Sequence, residues 1–224
     1  MCNWPADGSL GDMYTPEHFS SSQTESALLD RYGFGMLITV GSDELWTTHL
    51  PYLVKGVVAG EDEDSSALVA MHMARGNSHW RAIEKQPRCR FVVQGAHGYV
   101  SPAWYETRAA VPTWNYEAIH LDGEAELVFD PDELWEHLLA LAGRFEEPGE
   151  KRWAAADLTP DFLAPLLRSI VGVRFHVDAA QAKQKLSQNR SVGERRRVAR
   201  ELRDRGNTDL ARSMEALLQQ ESEK

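Results

Sequence analysis

Apolar and polar positions alternate with a period of two over much of this chain, and short stretches of helical spacing interrupt the alternation. Phe34-Gly-Met-Leu-Ile-Thr-Val40 is an apolar run of strand length, and Gly41-Ser-Asp-Glu44 punctuates it. Leu45 to Val54 returns as a second strand, so the pair predicts a hairpin; Pro51 within it predicts an edge or a bulge. Further strand patterns cover Ala67 to Met73, Cys89 to Gln94, Tyr99 to Ser101, Thr113 to Val128 and Val171 to Val177. Gly60 to Asp64 reads as a solvated acidic turn and Gly95 to Gly98 as another turn. Asp122-Gly123 fits either a tight hairpin turn or a bulge inside one long strand.

Helical spacing falls between and after these strands. Ser22-Gln-Thr-Glu25 has capping-box spacing and opens a short helix ending near Tyr32-Gly33. Asn77 or Ser78 caps a helix over Trp80 to Lys85, and Pro87 stops it. Asp130-Pro-Asp-Glu133 opens a helix carrying Leu134, Leu138, Leu141 and Phe145 on one face; another spans Pro160 to Arg168. Arg195 to Arg205 is helical up to Gly206-Asn207, and Thr208 to Gln220 follows with Leu210, Met214, Leu217 and Leu218 aligned. Six or seven strands without regular βαβ alternation predict a mainly β (α+β) fold, a closed and largely antiparallel barrel with peripheral helices. The polar stretch Met1 to Asp12 reads as a disordered leader, with Met13 as the candidate true start.

Composition narrows the classes. The formal net charge of −10 argues against broad affinity for nucleic acid or an anionic membrane, and no apolar run is long enough to span a bilayer. Only Cys2 and Cys89 occur, so a disulfide framework is not expected and a cytoplasmic location is the default. The charge is uneven: Lys183 to Arg205 concentrates cations, and Arg195 to Arg205 is the one electrostatically suitable DNA contact, although no helix-turn-helix pattern accompanies it.

Gly33-Phe-Gly35 lacks the third glycine and the helix of a dinucleotide fingerprint, and neither a phosphate loop nor a GxSxG elbow exists. Three clusters and one aromatic stretch remain. Thr47-Thr-His49 places polar groups within a strand. His72-Met-Ala-Arg-Gly-Asn-Ser-His79 ends a strand in Arg75 beside a helix start, which suits a phosphate as well as it suits an ordinary surface. Lys183-Gln-Lys-Leu-Ser-Gln-Asn189 offers cations and amides. Tyr99-Val-Ser-Pro-Ala-Trp-Tyr105 and Val111-Pro-Thr-Trp-Asn-Tyr116 suit either the wall of a pocket for a flat ligand or a rigid aromatic seam.

Together with Met13-Tyr-Thr-Pro-Glu-His-Phe19, His72-Met-Ala-Arg-Gly-Asn77 and Lys185-Leu-Ser-Gln-Asn189, these aromatic motifs resemble the PaiB-type family of FMN-binding negative transcriptional regulators, in the family's order. Two departures stand out: Gly76 and Ser78 replace the family's Ala and Pro, and Ala103 replaces a Ser. The resemblance implies a split barrel of the pyridoxamine-phosphate-oxidase type, a homodimer, FMN, and repression of degradative-enzyme or sporulation genes. It divides the chain into a leader over 1–12, the barrel with inserted helices over 13–189 and a helical extension over 190–224. The expected cofactor contacts are Thr47, Thr48, His49, His72, Met73, Arg75, Asn77, Ser101, Trp114, Asn115, Lys185, Gln188 and Asn189, with no catalytic residue and no metal ligand assigned. An FMN-dependent oxidoreductase is the alternative, and haem ligated by His49 or His72 a lesser one.

Overall fold

The computed structural model describes residues 11–19, 25–41, 44–55, 67–106, 110–147, 153, 155 and 158–222. Residues 1–10 of the expected leader, the Gly60 to Asp64 turn and the side chains of the Ser22 to Glu25 box lie outside them. Among the described residues there are six strands: β1 (Phe34–Val40), β2 (Leu45–Lys55), β3 (Leu68–Ala74), β4 (Arg88–Val100), β5 (Thr113–Val128) and β6 (Ile170–Lys185). They close a ring in the order β1-β2-β3-β6-β5-β4, as the alternation predicts. The β1–β2 hairpin is in register from Phe34 against Pro51 to Val40 against Leu45.

Pro51 does not mark an edge, since β2 lies between β1 and β3. It is the last residue registered with β1, and Tyr52 is the first registered with β3, so the missing N–H falls where one ladder hands over to the next. Gly95 to Gly98 is not a turn either; β4 runs through it unbroken. A Cβ on Gly98 would stand 2.5 Å from Asn207 Nδ2, which donates to the His97 carbonyl at 2.9 Å, so the glycine admits a close approach. Asp122-Gly123 lies inside the single strand β5, where a Cβ on Gly123 would meet the His176 carbonyl oxygen at 1.9 Å.

The chain condenses into two compact units. Of the described residues, the first comprises Gly11 and those within Thr24–Val93 and His120–Ala180. Its inward positions alternate with outward ones: Leu37, Tyr52, Val69, Met71, Phe91, Val171, Val173 and Phe175 are buried, and the Tyr52 and Phe91 rings meet edge to face at 5.2 Å. Helix α1 (Glu25–Arg31) is tied to this core where the Tyr52 hydroxyl donates to the Leu29 carbonyl at 2.8 Å. Helices α3 (Pro131–Phe145) and α4 (Pro160–Arg168) bury Leu134 and Leu167 with Val128, and Asp130 caps α3 by accepting from the Asp132 and Glu133 amides. The short helix α2 (His79–Lys85) sits between β3 and β4 in the chain.

The second unit comprises Asp12–Gln23, Gln94–Ile119 and Gln181–Lys224. Helices α5 (Val192–Asp204) and α6 (Thr208–Ser222) bury Val198, Leu202, Leu210, Met214 and Leu217 with Val100, Tyr105 and Leu186. Helix α5 begins three residues before the expected Arg195, because Ser191 and Glu194 form a reciprocal capping box.

Candidate functional site

In the first unit, strand parity decides which polar groups meet. Thr39 of β1, Thr48 of β2 and Cys89 of β4 point inward, and His79, the first residue of α2, is inserted among them with no exposed surface. Its Nδ1 lies 2.7 Å from Thr48 Oγ1 and its Nε2 lies 2.9 Å from Thr39 Oγ1, which is 3.1 Å from Cys89 Sγ. Asn77 Nδ2 donates to Thr48 Oγ1 at 3.0 Å, and Asn77 Oδ1 accepts from the His79 amide. Asn77 therefore does the capping; Ser78 occupies the N-cap position without a side-chain cap bond, its hydroxyl instead accepting from the Arg81 guanidinium at 3.4 Å. One donor direction satisfies the row: Asn77 to Thr48, Thr48 to His79, His79 to Thr39. Burial keeps the imidazole neutral, lowering its pKa from 6.5 to about 4. Trp46 lies against the same ring at 6.1 Å and donates from Nε1 to Glu44.

Thr47 and His49 have the opposite parity and are exposed on the outer face of β2, where the His49 ring stacks on Phe34 at 6.1 Å. Arg75 is exposed between β3 and α2; its guanidinium lies 5.2 Å above the Phe129 ring, and its carbonyl accepts from Trp80 Nε1. Beside α2 a cavity of about 650 Å³ is lined by Val40, Glu44, Trp46, Ser78, Arg81 and Lys85, among others. The salt bridges found among the described residues involve none of Arg75, Arg81 and Lys85. None of the residues expected from sequence lines this cavity. The overlooked signal is the i,i+4 spacing of Arg81 and Lys85, which puts two cations on one face of a short helix.

His72 and Met73, adjacent on β3, are separated by the same alternation. Met73 is buried, whereas His72 Nδ1 meets His137 Nε2 of α3 at 3.1 Å. The ring centroids are 5.2 Å apart, so the two nitrogens face each other almost in line, the geometry of an N–H···N bond. Burial lowers both pKa values, that of His137 to about 4, and His137 Nδ1 is buried without a hydrogen-bond partner among the described residues.

The remaining expected residues belong to the second unit. Lys185 ends β6 and donates to Thr113 Oγ1 and to the Trp114 carbonyl; desolvation lowers its pKa. Asn115 is fully buried and donates to Ser187 Oγ and Met214 Sδ. Gln188 spends both ends on its own turn, accepting from the Leu186 amide and donating to the Gln184 carbonyl. Ser101 accepts from the Ala103 amide at the head of a single 3-10 turn. Trp114 and Asn189 remain exposed, Trp114 stacked on His97 at 5.9 Å. The basic run is largely neutralised: Arg195 is buried against Glu221, and Arg197, Arg203 and Arg205 pair with Glu106, Glu215 and Glu201. Arg196 and Arg200 are exposed on α5 without a recorded ion pair among the described residues.

Among the described residues no cluster of three metal-ligating side chains forms, and no helix is long and apolar enough to cross a membrane. Residues 13–179 match the family described as "Putative FMN-binding domain". The chain is 31% identical to "Protease synthase and sporulation protein PAI 2" of Bacillus subtilis (strain 168), over 95% of its own length and 99% of that protein's. Its fold resembles that of a flavocytochrome, Anf3, from Azotobacter vinelandii, with a TM-score of 0.53 and 19% identity over 74% of this chain and 67% of the other. It also resembles an FAD- and haem-binding protein from Mycobacterium smegmatis, with a TM-score of 0.53 and 19% identity over 79% and 78%.

Proposed function

We infer, starting from the fact that this chain belongs to the FMN-binding domain family that its residues 13–179 match, that it is an FMN-carrying regulator of gene expression. The cofactor is FMN. The observation that carries its placement is the donor set around α2. On a protein of formal charge −10, Arg81 and Lys85 line the cavity with the Trp46 indole and the Ser78 hydroxyl, and Arg75 is exposed on the loop that leads into α2; none of the three has a salt bridge to a carboxylate among the described residues. Unpaired cations on an acidic protein favour a bound anion, and an indole favours a planar ring. These residues fit FMN: Arg75, Arg81 and Lys85 would hold the phosphate, Trp46 would face a ring, and outward Thr47 and His49 would offer polar edges. Bound FMN supplies reversible redox chemistry and visible absorbance. The chain keeps Thr48, Asn77 and His79 locked to one another, so the loop carrying Arg75 is positioned before any ligand arrives.

The regulatory half of the reading is supported by the relative named for protease synthesis and sporulation, matched from end to end. Direct DNA contact would fall to Arg196 and Arg200, because Arg195 is buried. A second copy of the chain would cover the outer face of β1 and β2, where Phe34 and Leu45 are 58% and 68% exposed. A cytoplasmic location accords with these roles. The cavity beside α2 also favours a second reading, an FMN-dependent oxidoreductase whose substrate enters there.

Titrating purified protein with FMN, followed by spectrum and thermal shift, tests the cofactor site. Binding weakened at least about tenfold by Arg75→Gln or Arg81→Gln is expected, and unchanged binding in both variants overturns the placement. Reduction of the bound flavin by NAD(P)H would favour the oxidoreductase. Promoter binding with an unaltered salt slope in Arg196→Glu/Arg200→Glu would remove direct DNA contact.

A further inference from the structure

The aromatic stretch Tyr99 to Tyr105 has no part in the flavin reading above, yet it walls a second cavity. In the second unit, a space of about 530 Å³ is lined by Tyr99, Ser101, Trp104, Leu202, Arg205 and Asn207, together with Ala103. Its volume falls in the range of small-molecule sites. We propose that this cavity binds a small planar aromatic carboxylate.

The walls are flat and apolar. Tyr99 leaves 48% of its surface exposed and Trp104 is only partly covered, although a packed core containing Val100 and Leu202 lies immediately beneath. Among the described lining residues Arg205 alone carries a full charge, with its guanidinium 5.2 Å above the Trp104 ring. One cation beside two rings matches a monoanion on an aromatic frame; a phosphate dianion would call for a second cation. The present partner of Arg205 is Glu201, an exposed i,i+4 pair of the kind that contributes little and yields readily to a bidentate carboxylate.

The walls are also fixed in advance. Ser101 accepts from the Ala103 amide and Pro102 holds the first position of the 3-10 turn that carries Trp104. Asn207 donates to the His97 carbonyl at 2.9 Å while its Oδ1 accepts from the Leu210 amide, so the joint between α5 and α6 is fastened to β4 two residues from Tyr99. A ligand entering such a space orders little of the protein. The Ser101 hydroxyl hydrogen is not used by the turn and is available to the ligand.

Isothermal titration of the full chain with naphthoate is the test, with naphthyl methanol and cyclohexanecarboxylate as neutral and non-planar comparators. Naphthoate is expected to bind more tightly than either. Arg205→Gln should weaken naphthoate about tenfold and leave naphthyl methanol unchanged, while Tyr99→Ser should weaken both aromatic probes. Arg200→Gln, on the same helix, should leave all three unaltered, and thermal melts of each variant should stay near that of the parent. No binding of naphthoate, equal binding of cyclohexanecarboxylate, or equal losses in Arg200→Gln and Arg205→Gln overturns the proposal. Loss of naphthoate binding on saturation with FMN also overturns it, since the cavity would then belong to the flavin. If the chain binds naphthoate and not FMN, the flavin placement fails and this site stands.

Discussion

The neutral imidazole of His79 makes this protein acid-sensitive in a defined window. Burial drops its pKa from 6.5 to about 4, so between those values the unfolded chain takes up a proton that the native chain refuses. Stability is complete above about pH 6.5, declines as pH falls toward about 4, and is level below that for this group. One such group costs about 2 kcal/mol between about pH 7.5 and about pH 5. His79→Gln removes the titration, so urea unfolding of parent and variant at those two pH values isolates it from His72 and His137, which add slopes of the same sign. The variant should be less stable at the higher pH, because an amide cannot reach both Thr48 and Thr39, yet its loss on acidification should be about 2 kcal/mol smaller. Equal losses in parent and variant would refute the reasoning, since His79 would then be charged in the native state or already neutral in the unfolded one.

Thr48→Val leaves His79 Nδ1 buried without a partner and should cost about 1–3 kcal/mol by urea unfolding, with the m-value unchanged. Gly123→Ala drives a Cβ into the His176 carbonyl, so a loss of about 1–3 kcal/mol or more in calorimetry is expected; a neutral result would mean the two strands separate freely there. Ser191→Ala removes the reciprocal cap of α5 and should cost about 1 kcal/mol, with faster amide exchange in its first turn.

The strands were legible because burial imposes a period of two on the residues between Phe34 and Val177, and that period survives without knowledge of the partners. Turns were less so. Gly95 to Gly98 carries the same letters whether the chain reverses or a neighbour approaches closely, and only the distant Asn207 distinguishes the cases. The candidate site divided along the same line. Thr47 and Thr48 are equivalent as letters, yet one residue of phase sends the first to the surface and the second into a row of buried bonds. Asn115 and Gln188 look like ligand contacts because they are amides, and the structure uses them to satisfy its own buried groups. Arg81 and Lys85 went unnoticed because cations on a short helix ordinarily belong to solvent; their significance depends on a cavity that no local pattern encodes.

Cys89 gives the protein an internal clock. Its thiol is buried against Thr39, and burial pushes its pKa up to about 11, so at about pH 8 about one thiol in a thousand is ionised even before access is considered. Modification by a thiol reagent must wait for the surrounding structure to open. With Cys2 replaced by serine, the rate of single-site labelling would count those openings in the native protein. The dependence of that rate on ligand would then read out, from within the barrel wall, how firmly anything bound near α2 holds His79 in its place.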